Sequence, residues 1–243
     1  MESSPEHTEP ALKASKPGDR LPETLPGDPM HWADAWIKEA AAADLQRNPN
    51  SMTIATVDAD AQPSARVVLC KAFVPDPGYL VFYTNYRSRK ARELAKNARA
   101  AAVFHWDSLG RQIRLEGRTV LSPADESDAY FATRDWGSRL GAWASDQSAP
   151  IESRTALEEQ LRKRAGELGL TLGDDTQSLA DDGEPDIPRP QHWGGIRLWP
   201  TAVELWVEGR DRIHDRARYT RDIVPASEHH FTVGPWTGMR LQP

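Results

Sequence analysis

The chain has 243 residues and a formal net charge of −6, with 39% hydrophobic and 27% charged residues. This composition supports one large domain with a packed core, and it excludes a generally basic nucleic-acid-binding or membrane-surface protein. A single cysteine, Cys70, excludes an intrachain disulfide framework and a Cys-rich zinc site. The histidines form no ligand pattern, so we expect no metal.

The first 28 residues are rich in Pro, Glu, Ser and Gly and predict a flexible N-terminal arm. Their acidic, polar start is unlike a signal peptide. No apolar run approaches the ~20 residues of a membrane span. We therefore expect a cytoplasmic protein that contacts neither membrane nor nucleic acid.

The next segments alternate between helix and short strands. Trp32, Trp36 and Ala40 recur at a spacing of four and predict a helix over 29–45. The strand patterns that follow are joined by links too short for crossovers, which predicts antiparallel pairing. These segments are strands at 52–57, 65–73, 79–84, 101–106 and 112–121, with a helix at 88–97.

The second half of the chain adds two helices and further strands. One helix is predicted to start at Ser122 as N-cap, with Pro123 at the first helical position, and another covers about 151–168. Residues 171–190 are acidic and punctuated by Gly and Pro, which predicts a loop insertion. Strand patterns return at 194–200, 202–209, 229–233 and 238–243. The whole is predicted to be α+β: a single domain over 29–243, with an antiparallel sheet closed as a barrel and surrounded by helices.

Positive charge is concentrated at the start of the 88–97 helix, in FYTNYRSRKAR. Arg87, Arg89, Lys90 and Arg92 lie there with no acid between them. Each cation in the first helical turn opposes the helix dipole at a cost of about 0.3–1 kcal/mol. Two explanations remain open. The side chains are either exposed and screened by water, or they bind an anion together with backbone N–H groups. The absence of an acid favours the anion.

A second pair of cations, Arg66 and Lys71, brackets the apolar run VVLC. Five residues apart in a regular strand, they are predicted to face opposite sides of the sheet. This spacing indicates two different anions or a site on each face. Alternatively, both are strand ends that reach solvent.

Several motifs, in this order, resemble the pyridoxamine 5'-phosphate oxidase family, whose FMN-dependent members make pyridoxal phosphate. They are RVVLCK, FYTNYRSRKARELAKN, FHWDSLGRQIRLEG, SDAYFATRDWGSRLGAWASDQS, HWGG and ELW…RIHDRARY. The resemblance extends from about Pro26 to the C-terminus. It implies an FMN-binding split barrel and a homodimer with FMN at the subunit interface.

The resemblance also implies site residues, among which Arg66, Arg89 and Lys90 would bind the FMN phosphate. The full set assigned to FMN is Arg66, Val67, Val68, Leu69, Tyr83, Thr84, Arg89, Lys90, Gln112, Gln147, Ser148, Trp206 and Arg216. The residues assigned to the phosphate of the substrate are Lys71, Tyr130, Arg134 and Ser138. The residues assigned to the substrate ring, where they would be catalytic, are Arg212 and His214.

Residue spacing adds two geometric expectations to these assignments. Tyr130 and Arg134, four residues apart, are predicted to share one face of the helix that begins near Pro123. Arg212 and His214, two residues apart on an extended chain, are predicted to project on the same side.

The implied activity is oxidation of pyridoxamine or pyridoxine 5'-phosphate to pyridoxal 5'-phosphate, with dioxygen as the electron acceptor and hydrogen peroxide released. One alternative is an FMN oxidase of the same fold that acts on a phenazine precursor. The phosphate-binding set argues against it, because a substrate without phosphate does not need those residues. The other alternative is a non-catalytic flavin-binding protein.

The chain also departs from the family pattern. The Arg-x-x-Tyr element of the N-terminal arm is not found, which leaves closure of the arm over the substrate open. Val207 replaces the usual Gln after Trp206 and removes one polar contact near the flavin.

Overall fold

The computed structural model describes residues 20–44, 46–173, 178–179 and 185–243. Within this part, five helices surround the sheet. They are α1 (Pro29–Ala42), α2 (Arg89–Lys96), α3 (Ala124–Ala132), α4 (Trp136–Ala144) and α5 (Arg154–Glu167). Two short 3-10 helices cover Asp107–Leu109 and Arg210–Arg212. None of the helices described is long and apolar enough to cross a membrane.

The strands are β1 (Ser51–Val57), β2 (Pro63–Leu69), β3 (Ala72–Val74), β4 (Tyr79–Asn85), β5 (Arg99–Trp106), β6 (Arg111–Leu121), β7 (Trp193–Val207), β8 (Asp215–Thr220), β9 (Ile223–Pro225), β10 (Phe231–Val233) and β11 (Thr237–Leu241). The main sheet has the order β11-β8-β7-β6-β5-β1-β2, and β4 joins it through β7 and carries β3. All its pairings are antiparallel, as predicted from the short links. The sheet curls into a split barrel, which confirms the predicted α+β fold class.

The long strand β7 determines where the functional residues lie. Its first half pairs with β4, with Trp193 opposite Asn85. Its second half pairs with β8, with Trp206 opposite Arg216. Since a strand rises about 3.3 Å per residue, Trp193 and Trp206 are separated by about 40 Å of strand. Residues paired with the two halves therefore belong to two different ends of the sheet.

Helix α1 closes one side of the core. Asp28 is its N-cap, since the carboxylate accepts a hydrogen bond of 2.7 Å from the Met30 N–H. Met30, Ala33, Trp36 and Ala40 are buried at the three- and four-residue spacing of one helix face. Burying the Met30 side chain alone contributes about 1.5–3 kcal/mol.

The end of the predicted N-terminal arm lies on the sheet. Leu21 is buried, and its backbone N–H donates to Asp215 Oδ2 at 2.8 Å. Arg240 of β11 donates to the Pro22 carbonyl at 2.6 Å. Residues 1–19 of the predicted arm, where the Arg-x-x-Tyr element was sought, lie outside the described residues. The domain boundary at residue 28 stays a prediction.

The structure corrects several predicted elements. The segment 65–73 is two strands, because the chain leaves the sheet after Leu69. The segments 194–200 and 202–209 form the single strand β7. Pro123, not Ser122, is the N-cap of α3, with an extended backbone (ψ 150°). The segments that form α4, β8 and β9 were not predicted as separate elements.

Candidate functional site

A cavity of about 580 Å³ opens where β2 and β4 end and α2 begins. It is lined by Arg66, Val67, Val68, Leu69, Lys71, Tyr83, Thr84, Arg89, Lys90, Tyr130, Arg134, Gln147, Ser148 and Trp193. All but Trp193 were predicted as cofactor or substrate residues. The structure therefore brings most of the predicted site together, although the roles of these residues stay predictions.

Lys90 is a buried cation in the first turn of α2. Its Nζ donates to Thr84 Oγ1 at 2.9 Å, Gln147 Oε1 at 3.0 Å and Ser88 Oγ at 3.3 Å. All three acceptors are neutral. Burial, and then the charge of Arg66, lower the pKa of Lys90 to about 8. An anion bound beside Lys90 would therefore be strongly favoured, because it would restore the charge balance that burial disturbs.

The buried carboxylate of Glu93 joins two other cations of the site. Arg89 Nε lies 2.7 Å from Oε1, and Arg66 Nη2 lies 3.4 Å from Oε2. The hydroxyl groups of Thr56 and Ser64 also donate to Oε2. Burial alone would raise the pKa of Glu93, but the hydrogen bonds from Thr56, Ser64 and Arg89 lower it to about 2. Glu93 thus remains ionised and fixes both arginines.

Both explanations for the basic helix start apply, but to different residues. Arg87 and Arg92 are exposed, as the solvent explanation requires. Lys90 is buried, and Arg89, although also exposed, lines the cavity, as the anion explanation requires. Ser88 is the N-cap of α2, with Oγ accepting from the Ala91 N–H.

Stacked aromatic rings form the other wall of the cavity. The Tyr83 and Tyr130 ring centroids lie 3.9 Å apart with an interplanar angle of 18°, and Tyr83 and Trp193 lie 5.4 Å apart at 12°. Two cations lie against these rings. Arg134 is 4.6 Å from the Trp193 centroid, and Lys71 Nζ is 5.9 Å from that of Tyr130. The cavity therefore has two separate cationic groups, one around Glu93 and one on the aromatic wall.

Two predicted placements were wrong. Arg66 and Lys71 line the same cavity, because β2 ends at Leu69 and Lys71 lies in the break before β3. Arg134 does not share a helix face with Tyr130, because α3 ends at Ala132. Ser138 lies in α4, is exposed and is not among the residues that line the cavity, so its assignment to the substrate phosphate stays a prediction.

The remaining predicted residues lie at the other end of β7. Gln112 is opposite Trp206, which is opposite Arg216 in the next strand. The rings of Trp206 and His214 have centroids 4.6 Å apart. None of these residues lines the cavity of the same chain. Val207 is buried in the sheet beside Trp206.

The turn before β8 differs from the extended chain predicted there. Arg212 lies in a 3-10 turn with φ of 64°, and Asp211 also has a positive φ of 56°. Such left-handed backbone is strained for residues other than glycine. The Gly209 N–H donates to His214 Nδ1 at 3.2 Å, an arrangement in which Nδ1 carries no proton and the ring N–H is at Nε2. The turn thereby fixes the tautomer of His214.

Glu204 of β7 was missed by the sequence analysis. It is buried, and its carboxylate lies 2.8 Å from Arg216 Nη2 and 3.2 Å from Arg114 Nη1. Glu204 therefore fixes the side chain of a predicted cofactor residue. Its position two residues before Trp206, on the same face of the strand, was the available signal.

The chain matches two family models that together cover most of its length. Residues 37–164 match the model described as pyridoxamine 5'-phosphate oxidase. Residues 193–243 match the model described as the pyridoxine 5'-phosphate oxidase C-terminal dimerisation region.

Curated relatives are similar over nearly the same length. The pyridoxine/pyridoxamine 5'-phosphate oxidase of Burkholderia vietnamiensis is 47% identical over 216 residues, which is 89% of each chain. That of Burkholderia mallei (strain SAVP1) is 49% identical over 205 residues, or 84% of this chain and 87% of the relative.

Solved structures share the fold. PhzG from Burkholderia lata 383, in complex with tetrahydrophenazine-1-carboxylic acid, has a TM-score of 0.71 at 28% identity and covers 90% of this chain and 94% of its own. An FMN-binding, pyridoxamine 5'-phosphate oxidase-related protein from Nostoc punctiforme has a TM-score of 0.61 at 18% identity, covering 88% and 97%.

Proposed function

Because the chain belongs to the pyridoxamine 5'-phosphate oxidase family, we propose that it oxidises pyridoxamine or pyridoxine 5'-phosphate to pyridoxal 5'-phosphate. Family membership makes it an FMN-dependent oxidase. The observation that carries the choice of substrate is the presence of two cationic groups in one cavity. FMN and the proposed substrate each carry one phosphate, so the two groups match the two ligands.

The residues present fit the FMN phosphate. Lys90 is a buried cation whose acceptors are neutral, and Arg66 and Arg89 are oriented beside it by Glu93. These three cations would hold the phosphate, while 66–69, Tyr83, Thr84, Gln147 and Ser148 would line the flavin. Bound FMN supplies the two-electron redox chemistry that protein side chains lack.

The second cationic group would hold the phosphate of the substrate. Lys71 and Arg134 supply positive charge, and Tyr130 lies between them on the aromatic wall. Anchoring both ligands by their phosphates restricts how their reactive ends meet. Such positioning can contribute several kcal/mol toward lowering a reaction barrier.

For an amine substrate the overall reaction removes two electrons and two protons from the C4' carbon and its amino group, and water then releases ammonia and leaves the aldehyde. Dioxygen takes up the two electrons and two protons and becomes hydrogen peroxide. His214 and Arg212 would lie over the pyridine ring. With Nδ1 accepting from Gly209, His214 presents an N–H at Nε2 that can donate to an oxygen or nitrogen of the ring.

The proposed site needs a second copy of the chain. The phosphate-binding residues and the group of Arg212, His214 and Trp206 lie at opposite ends of β7, about 40 Å apart along the strand. In a homodimer with two such sites, the second group of one subunit would complete the cavity of the other. Residues 193–243, which carry this group, match a dimerisation region.

Mixing two impaired variants, assayed at a substrate concentration at which each alone is nearly inactive, tests this arrangement. Arg134→Ala removes the phosphate anchor and Arg212→Ala removes the residue over the ring. A dimer with one subunit of each kind has one site with both changes and one site with neither. Co-refolding equal amounts should therefore restore about a quarter of the wild-type activity per site. No recovery in mixtures shown to contain the mixed dimer would place both groups in one subunit.

The activity itself is tested with FMN-loaded protein in air. We expect aldehyde and peroxide in equal amounts from pyridoxamine 5'-phosphate, much less from unphosphorylated pyridoxamine, and a loss of this difference in Arg134→Ala. Equal rates on both amines in the wild type would contradict a site built for phosphate.

A second candidate function follows from the likeness to PhzG, which was solved with tetrahydrophenazine-1-carboxylic acid. If that tricyclic acid is oxidised faster than either phosphorylated vitamer, the second candidate replaces the first. Lys71 and Arg134 on the aromatic wall favour pyridoxamine and pyridoxine 5'-phosphate as substrates, because the tricyclic acid carries no phosphate.

A further inference from the structure

Arg134 is held by two aromatic faces. Its guanidinium carbon lies 4.6 Å from the Trp193 ring centroid and 5.4 Å from that of Phe131. These two rings are edge-to-face, with centroids 5.0 Å apart and an interplanar angle of 69°. A guanidinium packed against aromatic faces donates hydrogen bonds only from its edge, in the plane of the group.

Arg134 lines the cavity and, within the part of the chain that the structure describes, has an unsatisfied donor. Its Nη1 is buried and has no hydrogen-bond partner among the described residues. Burial lowers the pKa of the Arg134 guanidinium, which nevertheless stays charged. A buried donor without a partner is unfavourable, and an oxyanion that reached Nη1 from the cavity would remove that cost.

Trp193 is itself firmly placed. It begins β7, and its backbone N–H donates to the Pro190 carbonyl at 3.0 Å. Its carbonyl accepts from Arg189 Nη1 at 2.7 Å, and its indole stacks on Tyr83. By contrast Arg134 lies beyond the end of α3, where no helix restrains its side chain. Orientation of the guanidinium therefore comes from the ring, not from a helix.

We propose that Trp193 is a positioning residue that selects for a phosphorylated substrate, because its indole holds the Arg134 guanidinium at the cavity wall. The proposal rests on the proposed function, in which Arg134 binds the substrate phosphate. Trp193 does not touch the reacting atoms in this role. Losing it should weaken binding of the phosphate and leave the redox step unchanged.

The test compares Trp193→Leu, Trp193→Phe and Arg134→Ala in FMN-loaded protein, with Trp32→Leu on α1 as a control for loss of a partly buried tryptophan outside the site. Losing a cation–π contact of this kind should raise KM for pyridoxamine 5'-phosphate by about 5- to 30-fold. We expect that rise in Trp193→Leu, a smaller one in Trp193→Phe, and kcat and FMN content close to wild type. Inhibition by inorganic phosphate should weaken by a similar factor.

The double variant separates positioning from a general structural effect. If Trp193 acts through Arg134, Trp193→Leu should have almost no further effect on KM in the Arg134→Ala background. An equal rise in both backgrounds, or a fall in kcat and FMN content with unchanged KM, overturns the proposal. If Trp193→Leu does not fold, the same comparison is made with Trp193→Phe, whose ring binds cations less strongly. Failure of the proposed function has a different signature, since the wild type would not distinguish pyridoxamine 5'-phosphate from pyridoxamine.

Discussion

The buried charge of Lys90 predicts how FMN binding depends on pH. Burial and the neighbouring Arg66 lower the pKa of Lys90 to about 8 in the FMN-free protein. A bound phosphate favours the protonated amine and must raise that pKa. At a pH between the Lys90 pKa of the FMN-free protein and that of the FMN-bound protein, binding FMN requires Lys90 to take up a proton. FMN affinity should therefore fall as the pH rises above 8.

The size of the effect follows from the same linkage. Each pH unit above the pKa of the free protein costs about 1.4 kcal/mol of binding free energy, which is a factor of about 10 in Kd. From pH 7 to pH 8 the change should be only about twofold, and from pH 8 to pH 9 it should be about five- to sixfold. The effect disappears if Lys90 is replaced by a residue that stays charged. Lys90→Arg should therefore bind FMN with nearly constant affinity from pH 7 to pH 9.

The measurement is a titration of FMN-free protein by flavin fluorescence at fixed ionic strength. Calorimetry at pH 8.5 in buffers of different ionisation enthalpy would count the protons taken up on binding. A wild-type Kd that is flat to pH 9, or the same pH dependence in Lys90→Arg, would refute the assignment of Lys90 to the phosphate. A general loss of structure would appear in both proteins as a change in circular dichroism.

Three further predictions concern residues that support the site. Glu93, whose pKa of about 2 lies below the ordinary value of 4.5, adds stability that is present above pH 4.5 and lost as the pH falls toward 2. Urea unfolding should show this loss, of up to about 3 kcal/mol, and Glu93→Gln should not. Glu204→Gln breaks a buried ion pair with Arg216 and should lower the thermal unfolding midpoint by about 6–9 °C in calorimetry; an unchanged midpoint would contradict the ion-pair argument. Gly209→Ala places a Cβ 1.7 Å from the Ile213 carbonyl oxygen, so kcat should fall at least about tenfold in the peroxide assay, with FMN still bound; unaltered kcat would show that the turn has no part in turnover.

Much of the fold could be predicted from residue patterns alone. The alternation in 52–57 and 112–121 and the four-residue spacing around Trp36 correspond to β1, β6 and α1. The break after β2 could not be predicted this way, because 65–73 carries no turn residue and its charged residues are only Arg66 and Lys71. The same limit applies to β7, where Pro200 suggested an end that the strand passes through.

The candidate site was predictable where local sequence determines it. The basic helix start and the family motifs indicated Arg66, Arg89 and Lys90, and the cavity contains all three. What sequence did not reveal are the groups that orient these side chains. Glu93 could have been noticed four residues after Arg89, but its contact with Arg66 depends on how α2 packs against β1 and β2. Trp193 is near Arg134 only because β7 and α3 meet in the fold.

The two ends of the sheet differ in how their positive charge is balanced. This difference agrees with the proposal that one end binds phosphates and the other supplies fixed side chains to the cavity of the second subunit. At the β8 end, Arg216 and its neighbours are paired with Glu204 and Glu116, so their side chains are fixed and nearly neutral as a group. In the cavity, Glu93 is shared by two arginines while Lys90 and Arg134 have no acid in contact among the described residues. The cavity that would receive two phosphates thus carries excess positive charge in a protein of net charge −6. A second subunit would then add to this cavity an Arg216 side chain that Glu204 already orients and balances.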